Sequence, residues 1–591
     1  KAKTMLRTFV EKILNAEKGS VVIREPDYVM SHDNSARVRF LFERIHGTKV
    51  HDPSRVVIVL DGKASGLMHE LSFEYNSIRD FVEEQGIEHF YDCDSGISHQ
   101  ILAELVRPGM LVVGSDSHTA TAGAFNAFAL GINKTETAVL WKTGKMWFRV
   151  PETVKIVLKN RLPEGVLAKD LALWIKGVLG ELDVNGQAIE YHGEGVESLT
   201  IDDRMTIANM STEMGVVSAA FPPDDTLADY FNEPAVRGVW ADEGAVYDHS
   251  IEIDLAKVFP LIFNTRKGEI RSVDEFEGLK IQQGLIGACA SGRLEDLRLV
   301  SMILDGRRIA DGFQLFVVPA SRDIYLKAVE EGIIDKIVHS GAMVLGSSCG
   351  PCLGVGHVAS AGNSRLISTA NSMYIGGANA SGVEKYIASP ATIAMTALRG
   401  ELSSVIHFEG ARYKYEVKPV EPVMLGGYDY RRVNGVWNYA DVDNISSNQI
   451  FAEKLMYRLT LEQVEEIKPY LFAGLDKNFA TDAKPGDIII AGENFGRGPL
   501  VKHAATGLVA VGVKLVIVKS VNHDFYRMAI NHGLLILVDW AIADAYTSGE
   551  SLKFDWENRV AYLNDREYPL PRMDKEFSEI IGKGGLAKAF S

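Results

Sequence analysis

Four cysteines occur in the chain, and three of them could do chemistry together. Cys349 and Cys352 form C-G-P-C inside GSSCGPCLG (346–354), and Cys289 sits in IGACASGR (286–293). A lone C-x-x-C is shared by redox disulfides, zinc corners and iron–sulfur corners, so it does not choose among them. Structural zinc asks for four Cys or His ligands, and the fourth would have to be Cys93 or His357. Taken alone, Cys289 reads equally well as a buried core cysteine. The surrounding Gly and Ser let backbone N–H groups approach a bulky anion or cluster, where larger side chains would obstruct it. Three thiolates around a cubane leave one iron without a protein ligand, and an open coordination position is what Lewis-acid catalysis uses. A second chemical unit is Asp116-Ser117-His118, in a glycine-bounded loop, where a carboxylate can fix the tautomer of a nearby imidazole.

These loops need a scaffold. Continuously apolar runs at 55–62, 109–116, 313–321, 486–493 and 514–520 read as strands covered on both faces. Several end in a small or polar cluster, where open parallel sheets place their ligand groups. The stretch 321–338 between two such runs is patterned as a helix, and the alternation argues for α/β architecture. Prolines 419 and 422 in YEVKPVEPVMLGG (415–427) suggest an interdomain linker followed by one further domain. No repeat of short fixed period and no low-complexity tract is evident.

Composition narrows the function classes. The 591 residues give a soft prior of about four core-sized units. At 46% hydrophobic and 24% charged, the chain is of ordinary globular type. Its 62 basic and 78 acidic residues give a formal charge of −16, which disfavours nucleic acid as a partner. Its apolar runs are too short to span a membrane, for which about 20 residues are needed. The opening residues carry charges inside their only apolar stretch. They read as an amphipathic helix with Leu6, Phe9, Val10 and Ile13 on one face, not as a secretory signal. Sparse cysteine usage points to reduced thiols and a cytoplasmic location.

Motifs along nearly the whole length carry a resemblance: VMSHDNSA (29–36), GISHQIL (96–102), VGSDSHTATAGAF (113–125), MTIANMSTEMG (205–215), IGACASGRLEDL (286–297), SSCGPCLG (347–354), IASPATIA (387–394), DNISSNQI (443–450), and GENFGRG with KHAA (492–505). The sequence resembles the aconitase superfamily, in the 3-isopropylmalate dehydratase and homoaconitase branch, with large and small subunits joined in one chain. The resemblance implies one [4Fe–4S] cluster per chain on Cys289, Cys349 and Cys352, with one iron lacking a protein ligand. It implies aconitase-like α/β domains 1 and 2 over 1–285, domain 3 with the cysteines over 286–418, a linker at 419–427 and a swivelling α/β domain over 428–591. It also places His99, Asp116 with His118, Asn209, Glu213 and Asn371 around the cluster and its bound hydroxyl.

The substrate side departs from the family pattern. An Asp-His pair reads Asp61-Gly62, so a proton-handling imidazole is missing. N-R-N-F-x-G-R reads Asn371-Ser372-Met373-Tyr374-Ile375-Gly376-Gly377, without its arginines, and C-T-N has become Cys289-Ala290-Ser291. G-S-S-R-E-H-A reads Gly498-Pro499-Leu500-Val501-Lys502-His503-Ala504, without its serine base. Guanidinium forks are the preferred carboxylate clamps, so these losses point away from citrate, isopropylmalate and homocitrate and towards a substrate with fewer carboxylates. Lys502, His503 or a histidine near the cluster become the candidate bases, and Asp61 is a further candidate catalytic residue. Ser291, Arg293, Ser372, Arg497 and Leu500 become candidate substrate contacts. The expected function is a cluster-dependent hydro-lyase or isomerase acting on another small hydroxy acid, with no separate small subunit. The alternatives are elimination of a different group, such as sulfur, or a non-catalytic iron or oxygen sensor.

Overall fold

A computed structural model of the chain describes residues 6–590 except 62–68, 94, 277, 354–363, 372–382, 407–412, 414, 417–431, 433, 452–467, 473–474, 477 and 499; of 69–72, 353, 415 and 416 it describes the backbone alone. The linker prolines, Gly62, Ser372, Gly377, His357 and Pro499 therefore lie outside the described residues.

Tyr28–Ser31, Val56–Val59, His89–Tyr91, Leu111–Gly114 and Phe128–Gly131 form a five-stranded parallel sheet. Its spatial order is His89–Tyr91, Val56–Val59, Tyr28–Ser31, Leu111–Gly114, Phe128–Gly131. The first strand in sequence thus lies beside the fourth, and the crossovers reverse direction there. At such a switch point the loops leaving the strand ends splay apart and open a crevice.

The same order recurs further along the chain. Gln283–Gly287, Gln314–Val318, Met343–Val344, Arg365–Ser368 and Glu384–Ala388 are parallel, again with the first strand beside the fourth. Leu261–Asn264, Glu269–Ser272 and Tyr415–Glu416 extend that sheet antiparallel to eight strands. Between the two lies a parallel sheet of Thr153–Lys159, Ala188–His192, Ser218–Ala220 and His249–Asp254. Further along the chain, Val436–Tyr439, Ile488–Ala491, Leu515–Val518 and Leu535–Val538 form a fourth parallel sheet, followed by a three-stranded antiparallel one. The architecture is α/β, as expected, and the apolar runs became strands because helices cover both sheet faces.

Two local expectations need correction. The helix at 321–338 is two helices, Arg322–Glu330 and Ile333–His339, because Gly332 adopts φ +71° between them. The opening helix is only Phe9–Ile13, capped by Thr8 and Glu11; Phe9 and Val10 are buried, whereas Leu6 is exposed.

The C-terminal part is anchored on the first sheet's domain. Glu136, fully buried in helix Lys134–Thr143, receives Arg527 at 2.8 Å and Asn531 at 2.8 Å. The Arg527 guanidinium lies 4.4 Å from the Trp147 ring centroid. Near the C-terminus, the Val21 N–H donates to the Arg572 carbonyl and the Asp574 N–H to the Val21 carbonyl. No described helix is long and apolar enough to cross a membrane.

Candidate active site

The two switch points supply one cavity. From the first sheet come His32 and Asp33 after Ser31, Asp61 after Leu60, and Ser115 and Asp116 after Gly114. From the eight-stranded sheet come Cys289 after Gly287, Cys349 and Cys352 after Val344, and Asn371 after Ser368. They line about 500 Å³, together with His99 and His118.

Asp116 organises the imidazoles. Its Oδ1 lies 2.9 Å from His99 Nε2 and 3.2 Å from His118 Nδ1, and accepts the His118 backbone N–H at 2.8 Å. Burial alone would raise the Asp116 pKa, but the bonds from His118 and His99 hold it well below the usual range. Burial lowers His118, yet the Cys289 thiolate and Asp116 outweigh it and push the imidazole up to about 9. The three groups could themselves hold a metal ion. The nitrogens facing Asp116 are, however, already engaged by its carboxylate, so the trio reads as an orienting unit.

The three thiols fit a metal cluster. Cys289 and Cys349 are within side-chain hydrogen-bonding reach, and that bond, with His118 and His99 nearby, keeps Cys289 well below the ordinary thiol range. Cys349 rises for the same reason and from burial, while burial raises Cys352. One thiolate is thus stabilised by the shared proton and two imidazoles, and the other two thiols become good donors once a metal displaces their protons. The Cys349 N–H is fixed by the Asp61 carbonyl at 2.7 Å. The Cys289 loop turns tightly through Gly287 at φ +127° and Ala288 at φ +63°. Cys93 does not line this cavity.

Not every sequence candidate reaches the cavity as a substrate contact. Arg293 is buried and donates to the Cys289 carbonyl at 2.9 Å and to Thr206 at 3.1 Å, so it holds the cysteine loop instead of gripping a ligand. Ser291 is buried with its hydroxyl on the Ala290 carbonyl. Asn209 binds Thr121 and accepts from Asn371, both bonds at 2.9 Å, and reaches the Cys289 sulfur. Leu500 is buried in the C-terminal domain's core, with its N–H on Ser447 at 3.1 Å, and does not face the cavity. His503 stacks on Phe451 with ring centroids 5.3 Å apart, away from the cysteines. Lys502 is exposed near the cavity mouth and lines neither large cavity. Arg497 and Glu213 line a larger cleft of about 1300 Å³ between the C-terminal domain and the rest, which shares Ser115 and Asp116 with the cysteine cavity.

The structure also adds residues. His32 sits 3.8 Å from Asp61 and 3.9 Å from Asp116, with its ring held by the Asn34 amide at 2.9 Å. It lies within VMSHDNSA, which was legible as a motif but not as a site. Asp61 is buried and accepts the Ser98 N–H at 2.7 Å; burial raises its pKa, partly offset by His32. Lys169, buried at the start of helix Ala168–Leu179, reaches Asn371 at 3.4 Å, and burial pulls it down to about 8. Nothing in its local sequence, an Ala-Lys-Asp helix start, marked it as a site residue.

The sequence matches the aconitase family (aconitate hydratase) over residues 7–271 and 264–400, and the aconitase C-terminal domain over 437–539. It is 39% identical over 413 residues to 3-isopropylmalate dehydratase large subunit 1 of Methanopyrus kandleri, covering 68% of this chain and 99% of that one. It is 30% identical over 629 residues to the mitochondrial homoaconitase of Debaryomyces hansenii, covering 96% of this chain and 91% of that one. A second large subunit of 3-isopropylmalate dehydratase, from Archaeoglobus fulgidus, is 38% identical and covers 68% of this chain and all of its own. With three cysteines, the Asp116 unit and both switch points in one cavity, and with these matches over most of its length, the chain belongs to the aconitase family.

Proposed function

We propose that the chain is a [4Fe–4S]-dependent hydro-lyase or isomerase that acts on a small hydroxy acid other than citrate or isopropylmalate. The observation that carries this reading is the convergence of Cys289, Cys349 and Cys352 on a cavity whose two histidines share Asp116. The three cysteines would hold the cluster, whose remaining iron supplies Lewis acidity towards a substrate hydroxyl. His118, held by the Asp116 carboxylate, can deliver a proton to a departing hydroxide. Asp116 keeps that ring oriented and His99 beside it. His32 takes the place of the imidazole missing at Gly62 and serves as proton acceptor. Asn209 and Asn371 hold each other and the cysteine loop in register.

The domain reading is 1–285 as the first two α/β domains, 286–418 as the cysteine-bearing third and 428–591 as a mobile domain whose Arg497 loop closes the larger cleft; the eight-stranded sheet moves the first boundary back to before Leu261–Asn264. Closure would exclude water during reaction. The homoaconitase of similar length supports function without a separate small subunit. The test is a screen of hydroxy acids and thiol acids for alkene absorbance, using anaerobically reconstituted protein. Alkene formation from a hydroxy acid, dependent on the cluster, is expected. Turnover of thiol acids alone, or of citrate or 3-isopropylmalate at ordinary enzyme rates, would overturn the reading.

A further inference from the structure

The cavity mouth carries a set of cations that the family motifs do not account for. Arg37, in helix Ser35–Arg44, and Lys134, the first residue of helix Lys134–Thr143, both line the cysteine cavity. Each helix follows a strand of the first sheet, Tyr28–Ser31 or Phe128–Gly131, so both cations stand at its carboxyl edge. Both side chains are exposed, and among the described residues neither forms an ion pair; Arg37 only lies over the Phe40 ring at 4.8 Å. Lys502 approaches from the C-terminal domain. It lines neither cavity, and partial desolvation and then the charges of Arg37, Lys134 and Arg44 lower its pKa.

Three of the four described acidic residues lining the same cavity are engaged elsewhere. Asp33 accepts the Asp61 N–H at 3.1 Å and the Tyr75 hydroxyl at 2.9 Å. Asp61 accepts Ser98, and Asp116 holds two imidazoles. Glu74 is the one further carboxylate lining the cavity among the described residues. In a chain of net charge −16, several cations clustered without carboxylate partners are a recognition feature for an anion. Lys134 also sits at a helix N-terminus, where the backbone dipole adds to the attraction.

We propose that Arg37 and Lys134 bind a carboxylate of the substrate at the cavity mouth. This rests on the hydro-lyase reading and adds two specificity-determining residues to it. It also revises the expectation of fewer carboxylates drawn from positions 372, 377 and 499–501. The clamp has moved to the first sheet's helices, so a dicarboxylate is retained. Arg37 provides the planar fork and Lys134 a point charge. Glu136, on which the C-terminal domain docks, lies two residues on in the same helix but on its buried side, so the docking contact leaves the Lys134 side chain exposed.

The test uses anaerobically purified full-length protein with succinate, tricarballylate and propionate as calorimetric probes. Wild type should bind the two polycarboxylates, with propionate at least about tenfold weaker. Arg37→Gln and Lys134→Gln should each weaken succinate by about tenfold, and Arg37→Lys should recover part of the loss. Cluster absorbance and thermal unfolding should match wild type in all variants, since both side chains are exposed. Equal succinate affinity in wild type and the Arg37→Gln, Lys134→Gln double variant overturns the clamp, as does failure of wild type to prefer succinate over propionate. If hydroxy-acid turnover occurs with unchanged KM in that double variant, the clamp fails and the hydro-lyase reading stands. If no hydroxy acid is turned over but succinate binding still depends on Arg37, the hydro-lyase reading fails and the clamp stands.

Discussion

Replacing Arg527 by methionine should release the C-terminal domain from its anchor. In the native chain, Glu136 is fully buried and takes Arg527 on both carboxylate oxygens, at 2.8 and 3.0 Å. Asn531 donates at 2.8 Å, and the Asn133 N–H, which starts the same helix, donates at 2.8 Å. Methionine keeps much of the packing on Trp147 but leaves a buried carboxylate with only two neutral donors. Removing one partner of a buried pair costs about 3–5 kcal/mol, because the other charge stays buried. A chain with several domains does not unfold in two states, so the measurement should be local. Backbone amides of helix His523–Asn531, followed by hydrogen exchange and mass spectrometry, should open about 10²- to 4 × 10³-fold more readily, at about 1.4 kcal/mol per factor of ten. Adding Glu136→Gln to Arg527→Met should restore much of the protection, since no charge is then stranded. Unchanged exchange in the single variant, or no recovery in the double, would refute the argument that this pair anchors the domain.

Three further outcomes follow from the same geometry. His523, at the start of that helix, has its pKa driven down to about 3 by burial and then by Arg527. The folded state therefore binds fewer protons than the unfolded one between that value and about 6.5, and stability falls as pH drops through this window. The loss is on the order of 2 kcal/mol by about pH 5, before discounting for partial exposure; His523→Gln should flatten melting temperature against pH there, and parallel curves would contradict this. Leu500→Ala should cost about 2–5 kcal/mol of stability as a core truncation while leaving succinate affinity unchanged, and weaker binding without lower stability would return Leu500 to the site. Arg293→Met should loosen the Cys289 loop, so that a chelator strips iron about 10- to 100-fold faster; release at the native rate would show that the Cys289 carbonyl does not need this bond.

Much of the scaffold was legible because burial writes itself into composition. Val56–Val59 and Leu515–Val518 are buried at every position, and unbroken apolar runs have no other use in so charged a chain. Strand order was not legible. That Tyr28–Ser31 neighbours Leu111–Gly114 depends on crossover packing, and this adjacency is what brings His32 to Asp116. The cysteines stood out because few residue types hold a cluster. Arg293 was misread because an arginine beside a ligand loop is equally suited to a substrate or to a backbone carbonyl, and only folding shows which acceptor it meets. Leu500 was misread because the residues after GRG begin helix Val501–Ala510, which turns that side chain into its own domain's core. Arg37 and Lys134 gave no signal at all. Their spacing of nearly a hundred residues becomes a shared cavity mouth only through the sheet.

The central claim, that Cys289, Cys349 and Cys352 alone hold a cluster with one open iron, is tested most directly by Mössbauer spectroscopy of anaerobically purified protein enriched in isotopic iron. Wild type should hold about four irons per chain, as a cubane requires. One of them should be distinct from the rest and shift when a hydroxy dicarboxylate is added, and Cys349→Ala should lose most of the iron. Full iron retention in Cys349→Ala, or a wild-type spectrum in which every iron is equivalent and indifferent to added hydroxy acid, would contradict the account.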